Sequence, residues 1–152
     1  MFGLIVAFKV IHRSKSSLIK RIGTMQATQN NNENKTVLYV DDDEMVLEVG
    51  SLMLQKLGYS VLTASEGQEA IEIFKKNKVA IAILDMRMPG MNGYELYQQL
   101  KKINPKAKIL LASGYTGDQS EKGLISIGFD GFIQKPFVLK HLSEKIKDIL
   151  VN

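Results

Sequence analysis

At 152 residues, with 24% charged and 45% hydrophobic side chains, the chain suits one globular domain with enough material for a two-sided core. It has no cysteine, which excludes disulfides, thiolate metal centres and cysteine nucleophiles and fits a cytoplasmic location. The net charge of +4 is an appendage: residues 1–35 carry six basic side chains and one acid, leaving 14 basic and 15 acidic residues in 36–152. The body therefore offers no basic field to nucleic acid, and no zinc-finger spacing or second DNA-binding domain is present.

The chain divides into an extension, 1–35, and a domain, 36–152. Residues 1–11, MFGLIVAFKVI, are apolar except for Lys9. A membrane-spanning helix needs about 20 apolar residues, so this run does not cross a bilayer alone. Its positive charge follows the apolar run, whereas a signal peptide has it in front. The segment reads as an interfacial membrane anchor, as the remnant of a preceding domain of a longer parent, or as a helix packed on the domain or a partner; membrane contact is not the favoured reading. Residues 26–34, QATQNNNEN, lack large apolar side chains and read as a linker.

From Thr36 strand and helix signals alternate, the pattern of a doubly wound α/β domain with a mainly parallel sheet. The first strand is Thr36–Val40. The first helix spans Glu44–Lys56, with Asp43 as N-cap, Val46, Val49, Met53 and Leu57 spaced for one buried face, and Gly58 as its stop. A second strand covers 60–63. Ser65 and Gln68 form a capping-box pattern opening the second helix, which turns Ala70, Ile71 and Phe74 inward. The third strand, 79–84, ends at Asp85 and is followed by the turn Met-Pro-Gly-Met-Asn-Gly. Asn92 and Glu95 then cap a third helix with Leu96, Leu100 and Ile103 inward and Pro105 closing it. A fourth strand covers 108–112. A fourth helix is expected within 118–127, interrupted by Gly123 and thinly apolar, and is expected to be mobile. The fifth strand is Gly131–Gln134. A fifth helix, 138–150, buries Leu142, Ile146, Ile149 and Leu150.

The strand ends carry the chemistry. The first ends in Asp41-Asp42-Asp43, the third in Asp85, the fourth in Ser113 and the fifth in Lys135. In open α/β sheets functional groups collect just past the carboxyl ends of the strands, so carboxylates, a hydroxyl and an ammonium are expected to share one crevice. Carboxylates gathered this way repel one another and invite a divalent cation. His12 and His141 have no partner at metal-ligand spacing, and Gly67, Gly114 and Gly117 belong to no nucleotide-binding pattern.

Four motifs resemble the receiver domains of two-component response regulators: Val-Asp-Asp at 40–42, Leu-Asp-Met-Arg-Met-Pro-Gly-Met-Asn-Gly at 84–93, Ala-Ser-Gly at 112–114 and Lys-Pro-Phe at 135–137. The resemblance extends from about residue 35 to the last residue. It implies a flavodoxin-like α/β fold, a five-stranded parallel sheet of order 2-1-3-4-5 with helices on both faces. It implies Asp85 as phosphoacceptor, served by Ser113, Lys135 and Asp41, and a phosphohistidine of a sensor kinase or phosphotransfer protein as donor. Mg2+ would take oxygens from Asp42, Asp85 and the Arg87 backbone carbonyl, with Asp41 acting one layer out through water.

Ser113 and Phe132 would form the switch, acting on the surface of the fourth helix, fifth strand and fifth helix. Many relatives have tyrosine at the position of Phe132, which lacks the hydroxyl. Tyr115 lies where it could partly cover the site. The Ser-Gly-Tyr at 113–115 and the extension lean toward a receiver from a hybrid kinase over a free-standing regulator. Two other classes compete: a haloacid-dehalogenase-like magnesium-dependent phosphatase, which would want a second acid where Arg87 stands, and an interaction module that does not use phosphorylation. The effector and the downstream partner are not named by the sequence.

Overall fold

A computed structural model describes residues 35–114 and 127–151. The expected fourth helix falls almost wholly outside the described residues, as do the 1–34 extension and Tyr115.

Five strands, β1 (Thr36–Val40), β2 (Ser60–Ala64), β3 (Val79–Asp85), β4 (Ile109–Ser113) and β5 (Gly131–Gln134), form one sheet in the order β2-β1-β3-β4-β5. Every pairing is parallel. Helices α1 (Glu44–Lys56), α2 (Gly67–Lys76), α3 (Gly93–Ile103) and α4 (Leu139–Val151) join or follow the strands, α4 being the fifth helix of the sequence reading. A parallel sheet covered on both faces needs strands that are apolar on both sides. The ILLAS strand at Ile109–Ser113 is accordingly buried at every position.

Alternation divides the side chains between two cores. On one face Leu38, Val40, Leu84 and Leu111 pack with Ala70, Phe74, Leu96 and Leu100 of α2 and α3. On the other, Val37, Tyr39, Ile81 and Ile83 pack with Leu47 and Leu54 of α1 and Leu142, Ile146 and Ile149 of α4. Among the described residues no helix is long and apolar enough to cross a membrane.

Most helix ends are those expected. Asp43 caps α1 by accepting the Met45 and Val46 backbone N–H groups, and Gly58 ends it in the left-handed region at φ 88°. Asn92 and Glu95 form the reciprocal box at the start of α3.

Three expectations are corrected. The α1 face against the sheet is Leu47, Gly50 and Leu54, while Val49 is 52% exposed; Val46, Met53 and Leu57 are only partly buried at its margin. This helix is apolar on several sides, so more than one stripe fits its period. Gly50 decides the matter, since a Cβ there would lie 2.2 Å from Tyr39 Cε1 and only glycine lets α1 settle on that ring. Next, α2 starts at Gly67 with Glu66 as N-cap and no side-chain cap bond; Glu69, not Gln68, reaches back, its carboxylate accepting the Ser65 N–H at 3.0 Å. Finally Ile103, the last residue of α3, is 40% exposed. β1 and β5 have the expected bounds, while β2 runs one residue further, to Ala64, β3 takes in Asp85, and β4 is shifted by one to Ile109–Ser113.

Candidate functional site at the strand ends

The parallel register brings the ends of β1, β3, β4 and β5 side by side. Backbone bonds continue the ladder beyond the strands: Asp41 N–H donates to Ala64 O, Met86 N–H to Ala112 O and Lys135 N–H to Ser113 O. The chain then turns away sharply. Gly90 takes a positive φ of 76°, and Gly93 passes so close to the end of β3 that a Cβ would sit 2.3 Å from the Asp85 carbonyl oxygen. The sequence reading gave Gly93 only as the last residue of the 84–93 motif, not as a site-forming residue; the Asn-Gly pair that closes the turn after Asp85 was the available signal.

Asp41, Asp85 and Ser113 are the buried polar residues among those described, at 2%, 7% and 6% exposure. The Lys135 ammonium joins the two acids, donating to Asp41 Oδ2 and, at 2.6 Å, to Asp85 Oδ1. The other carboxylate oxygens take backbone donors: Arg87 N–H bonds Asp85 Oδ2 at 2.6 Å, and Asp43 N–H bonds Asp41 Oδ1 at 3.1 Å. Asp42 is exposed. Ser113 lies buried at the end of β4, and Phe132, register partner of Leu111, is half-buried against the α2–α3 core.

Burial pushes the Asp41 carboxyl above its ordinary range, partly offset by the Lys135 and Asp43 hydrogen bonds. Burial alone would lower the Lys135 ammonium, but the bonds and charges of Asp41 and Asp85 outweigh it and hold the group above its usual value. Beneath them Tyr39 is pushed up by burial first and then by the charges of Asp41, Asp85 and Asp43.

Asp41, Asp42 and Asp85 face a single ammonium, so the pocket keeps a surplus of negative charge, and its donors are hard oxygens. That set fits a magnesium-like cation. Among the described residues no three His, Cys, Asp or Glu side chains converge into a ready-made cage. A cation held here would complete its shell with backbone oxygen and water, as Mg2+ commonly does. Beside the exposed Asp42, among the loops that follow β1, β2 and β3, opens a crevice of about 560 Å3 lined by Asp42, Glu44, Glu66, Gly67, Pro89 and Met91 among others.

A parallel sheet of order 2-1-3-4-5 with two buried acids and a lysine at its carboxyl edge defines a class of phosphate-handling signalling domains. Residues 37–147 match the model of the response regulator receiver domain family, and the chain belongs to that family: it is a receiver domain of two-component signalling. It is 38% identical over 114 residues to the autoinducer 1 sensor kinase/phosphatase LuxN of Vibrio campbellii, covering 75% of this chain and 13% of that protein. It is also 38% identical over 117 residues to the sensor kinase CckA of Brucella abortus, covering 76% of this chain and 12% of that one. The chain thus spans only about an eighth of either kinase. Among solved structures, the response regulator TrrA of Thermotoga maritima in complex with Mg2+ and beryllium fluoride aligns with a TM-score of 0.69 and 34% identity, over 76% of this chain and 99% of that one.

Proposed function

We propose that Asp85 accepts a phosphoryl group from a phosphohistidine of a sensor histidine kinase or histidine phosphotransfer protein in the cytoplasm, within a domain bounded by residues 36–152. The observation that carries this reading is the Lys135 ammonium, held by both Asp41 and Asp85 at the carboxyl ends of the strands.

In the transfer an Asp85 oxygen attacks phosphorus in line. The O–P bond forms as the P–N bond breaks, and the imidazole leaves with the electron pair. Such a reaction depends on positioning and on neutralising charge more than on covalent help. The Arg87 N–H holds one Asp85 oxygen and so orients the other. Lys135, already bonded to Asp85, follows the growing negative charge onto a phosphoryl oxygen, and the Ser113 hydroxyl donates to a second. Asp42, Asp85 and the Arg87 carbonyl, with Asp41 acting through water, would hold Mg2+, which would supply further charge neutralisation when bound. The new charge then draws Ser113 toward the phosphoryl group and Phe132 inward, remodelling the surface of β5 and α4.

The receiver turns over only its own phosphoryl group. A phosphatase of the haloacid-dehalogenase kind would need an acid where Arg87 stands, and here that position serves through its backbone N–H. Acetyl phosphate with Mg2+ should label the protein, and Asp85→Asn should abolish the label; labelling that survives the substitution places the acceptor elsewhere. Removal of residues 1–34 should leave cooperative unfolding intact, whereas its loss would make the extension part of the domain.

A further inference from the structure

The near-neutral sum of charges over residues 36–152 hides a segregation that the parallel topology imposes. All five strands begin at one edge of the sheet, and the helices run back to that edge. Lys56 closes α1, Lys75 and Lys76 close α2, and Lys101 and Lys102 stand in the last turn of α3. Lys35 precedes β1, Lys78 precedes β3, and Lys106 and Lys108 precede β4. Backbone bonds hold these openings side by side: Ser60 N–H donates to Lys35 O at 3.1 Å, and Ala82 N–H to Lys108 O at 2.9 Å.

Among the described residues the five lysines at helix ends and the four ahead of strands meet two acids, Glu72 and Asp130; α4 adds Lys147 and Asp148, which cancel. Glu72 pairs with Lys75, and Asp130 lies against Lys101 and Lys108. Lys35, Lys56, Lys78, Lys102 and Lys106 have no ion-pair partner among the described residues. The carboxyl edge is the reverse, with Asp41, Asp42, Asp43, Glu44, Glu66 and Asp85 against Arg87 and Lys135.

Local needs explain part of this. Lysine in a last helical turn complements the macrodipole, but Lys35, Lys78, Lys106 and Lys108 lie outside helices. Solubility is served by interspersed signs, whereas a field of one sign steers toward an opposite charge. The sequence adds five bases and one acid ahead of Lys35, the residue through which the 1–34 extension joins this edge.

The kind of charge narrows the partner. Every base here is a lysine, a point charge without the planar fork by which arginine grips a single phosphate. Tyr94, the exposed aromatic among those described, opens α3 at the other edge, so the amino edge offers nucleic-acid bases no stacking platform. What it exposes instead is Ile103, between Lys102 and Lys106 in the chain. Lysines with an apolar side chain among them suit the headgroup region of a bilayer. We propose that the amino edge of the sheet docks on an anionic lipid surface, its unpaired lysines on the headgroups, and so turns the Asp85 edge away from the bilayer. The inference rests on topology and charge, independently of phosphotransfer at Asp85.

The test sediments the full chain with vesicles of phosphatidylcholine alone, or of phosphatidylcholine with about one part in four of phosphatidylserine. It should bind the anionic vesicles and not the neutral ones, and added salt should release it. A lysine near a charged surface is worth about fivefold in partitioning, so Lys102→Gln should weaken binding by about that factor. Lys78→Gln, Lys102→Gln and Lys106→Gln combined should weaken it about a hundredfold. Lys140→Gln, the same change at the start of α4 on the opposite edge, should stay within about twofold. Unchanged cooperative unfolding shows that the variants fold. The proposal falls if the chain does not bind anionic vesicles, if neutral vesicles bind as well, or if Lys140→Gln weakens binding as much as Lys102→Gln. It falls if the triple variant stays within about twofold of the unaltered chain, which would leave the contact to the 1–34 extension. It falls too if duplex DNA at equal phosphate concentration binds more tightly and loses that affinity with the same substitutions, which would assign the edge to nucleic acid.

Discussion

At the carboxyl ends of the strands two acids share one lysine; at the amino ends of β4 and β5 one acid shares two. In the second cluster Asp130 lies 3.5 Å from Lys101 and 3.4 Å from Lys108, and its carboxylate also accepts the Ile109 N–H at 2.9 Å. Lys101 in turn donates to the Ala107 carbonyl at 2.7 Å. These groups lie nearer the surface, the Asp130 side chain being 19% exposed against 3% for Asp41. The Asp130 cluster spreads its charge over several partners and joins the start of β4 to α3 and β5. The Asp41–Asp85 cluster keeps an excess of negative charge in a buried place. The Asp130 cluster is arranged for stability; under the proposed function the Asp41–Asp85 cluster gives up stability for reactivity, as functional sites commonly do.

Exchanging charges in each cluster breaks this contrast. Lys135→Ala leaves two buried carboxylates without their cation, which should cost about 3 kcal/mol in metal-free denaturant unfolding. It should also slow acetyl phosphate labelling about a hundredfold, by removal of one charge-stabilising donor.

Mg2+ should act in the opposite direction on the same site. At a concentration of about a hundred times its Kd it should stabilise the fold by about 2.7 kcal/mol, read as a higher Tm. Chelation should reverse the gain, and Asp85→Asn should abolish most of it.

Asp130→Ala should cost about 2 kcal/mol, chiefly because the Ile109 N–H loses its acceptor. Its labelling rate should stay within about twofold of normal, because the two clusters are separate. A large loss of labelling would show that the clusters are coupled.

The smallest effect concerns Tyr97, beside the Asp130 cluster. Its phenol is raised by burial, then by Asp130 and Tyr94, and its hydroxyl donates to the Ile127 carbonyl at 3.4 Å. The folded state therefore keeps this proton where the unfolded chain has lost it. Stability should fall as pH rises from about 10 through the raised folded value. In Tyr97→Phe that portion of the alkaline decline should vanish, a difference of a degree or two in Tm seen only above about pH 10.

Most of this organisation is readable along the chain, because each piece of it is local. Strand ends announce themselves where an apolar run meets Asp41, Asp85 or Lys135, and the Asn92–Glu95 box lies within one helical turn. The failures have local causes as well. On α1 the residues 46, 47, 49, 52, 53 and 54 are all apolar, so periodicity left the buried stripe open until Gly50 met Tyr39. At α2 the cap moved one residue, from Ser65 to Glu66, because the carboxylate that reaches back belongs to Glu69.

The amino-acid order alone settled which groups are available: an acid, a hydroxyl and a lysine each standing at the end of an apolar strand, in the order that a parallel sheet gathers together. Only the folded sheet decided which of them meet. Lys135 reaches across 94 residues to Asp41 and across 50 to Asp85, and of two adjacent acids it buries Asp41 and leaves Asp42 in water. The reason is geometric. Neighbouring positions at a strand end point to different surroundings, and register and twist, which depend on the whole sheet, choose between them.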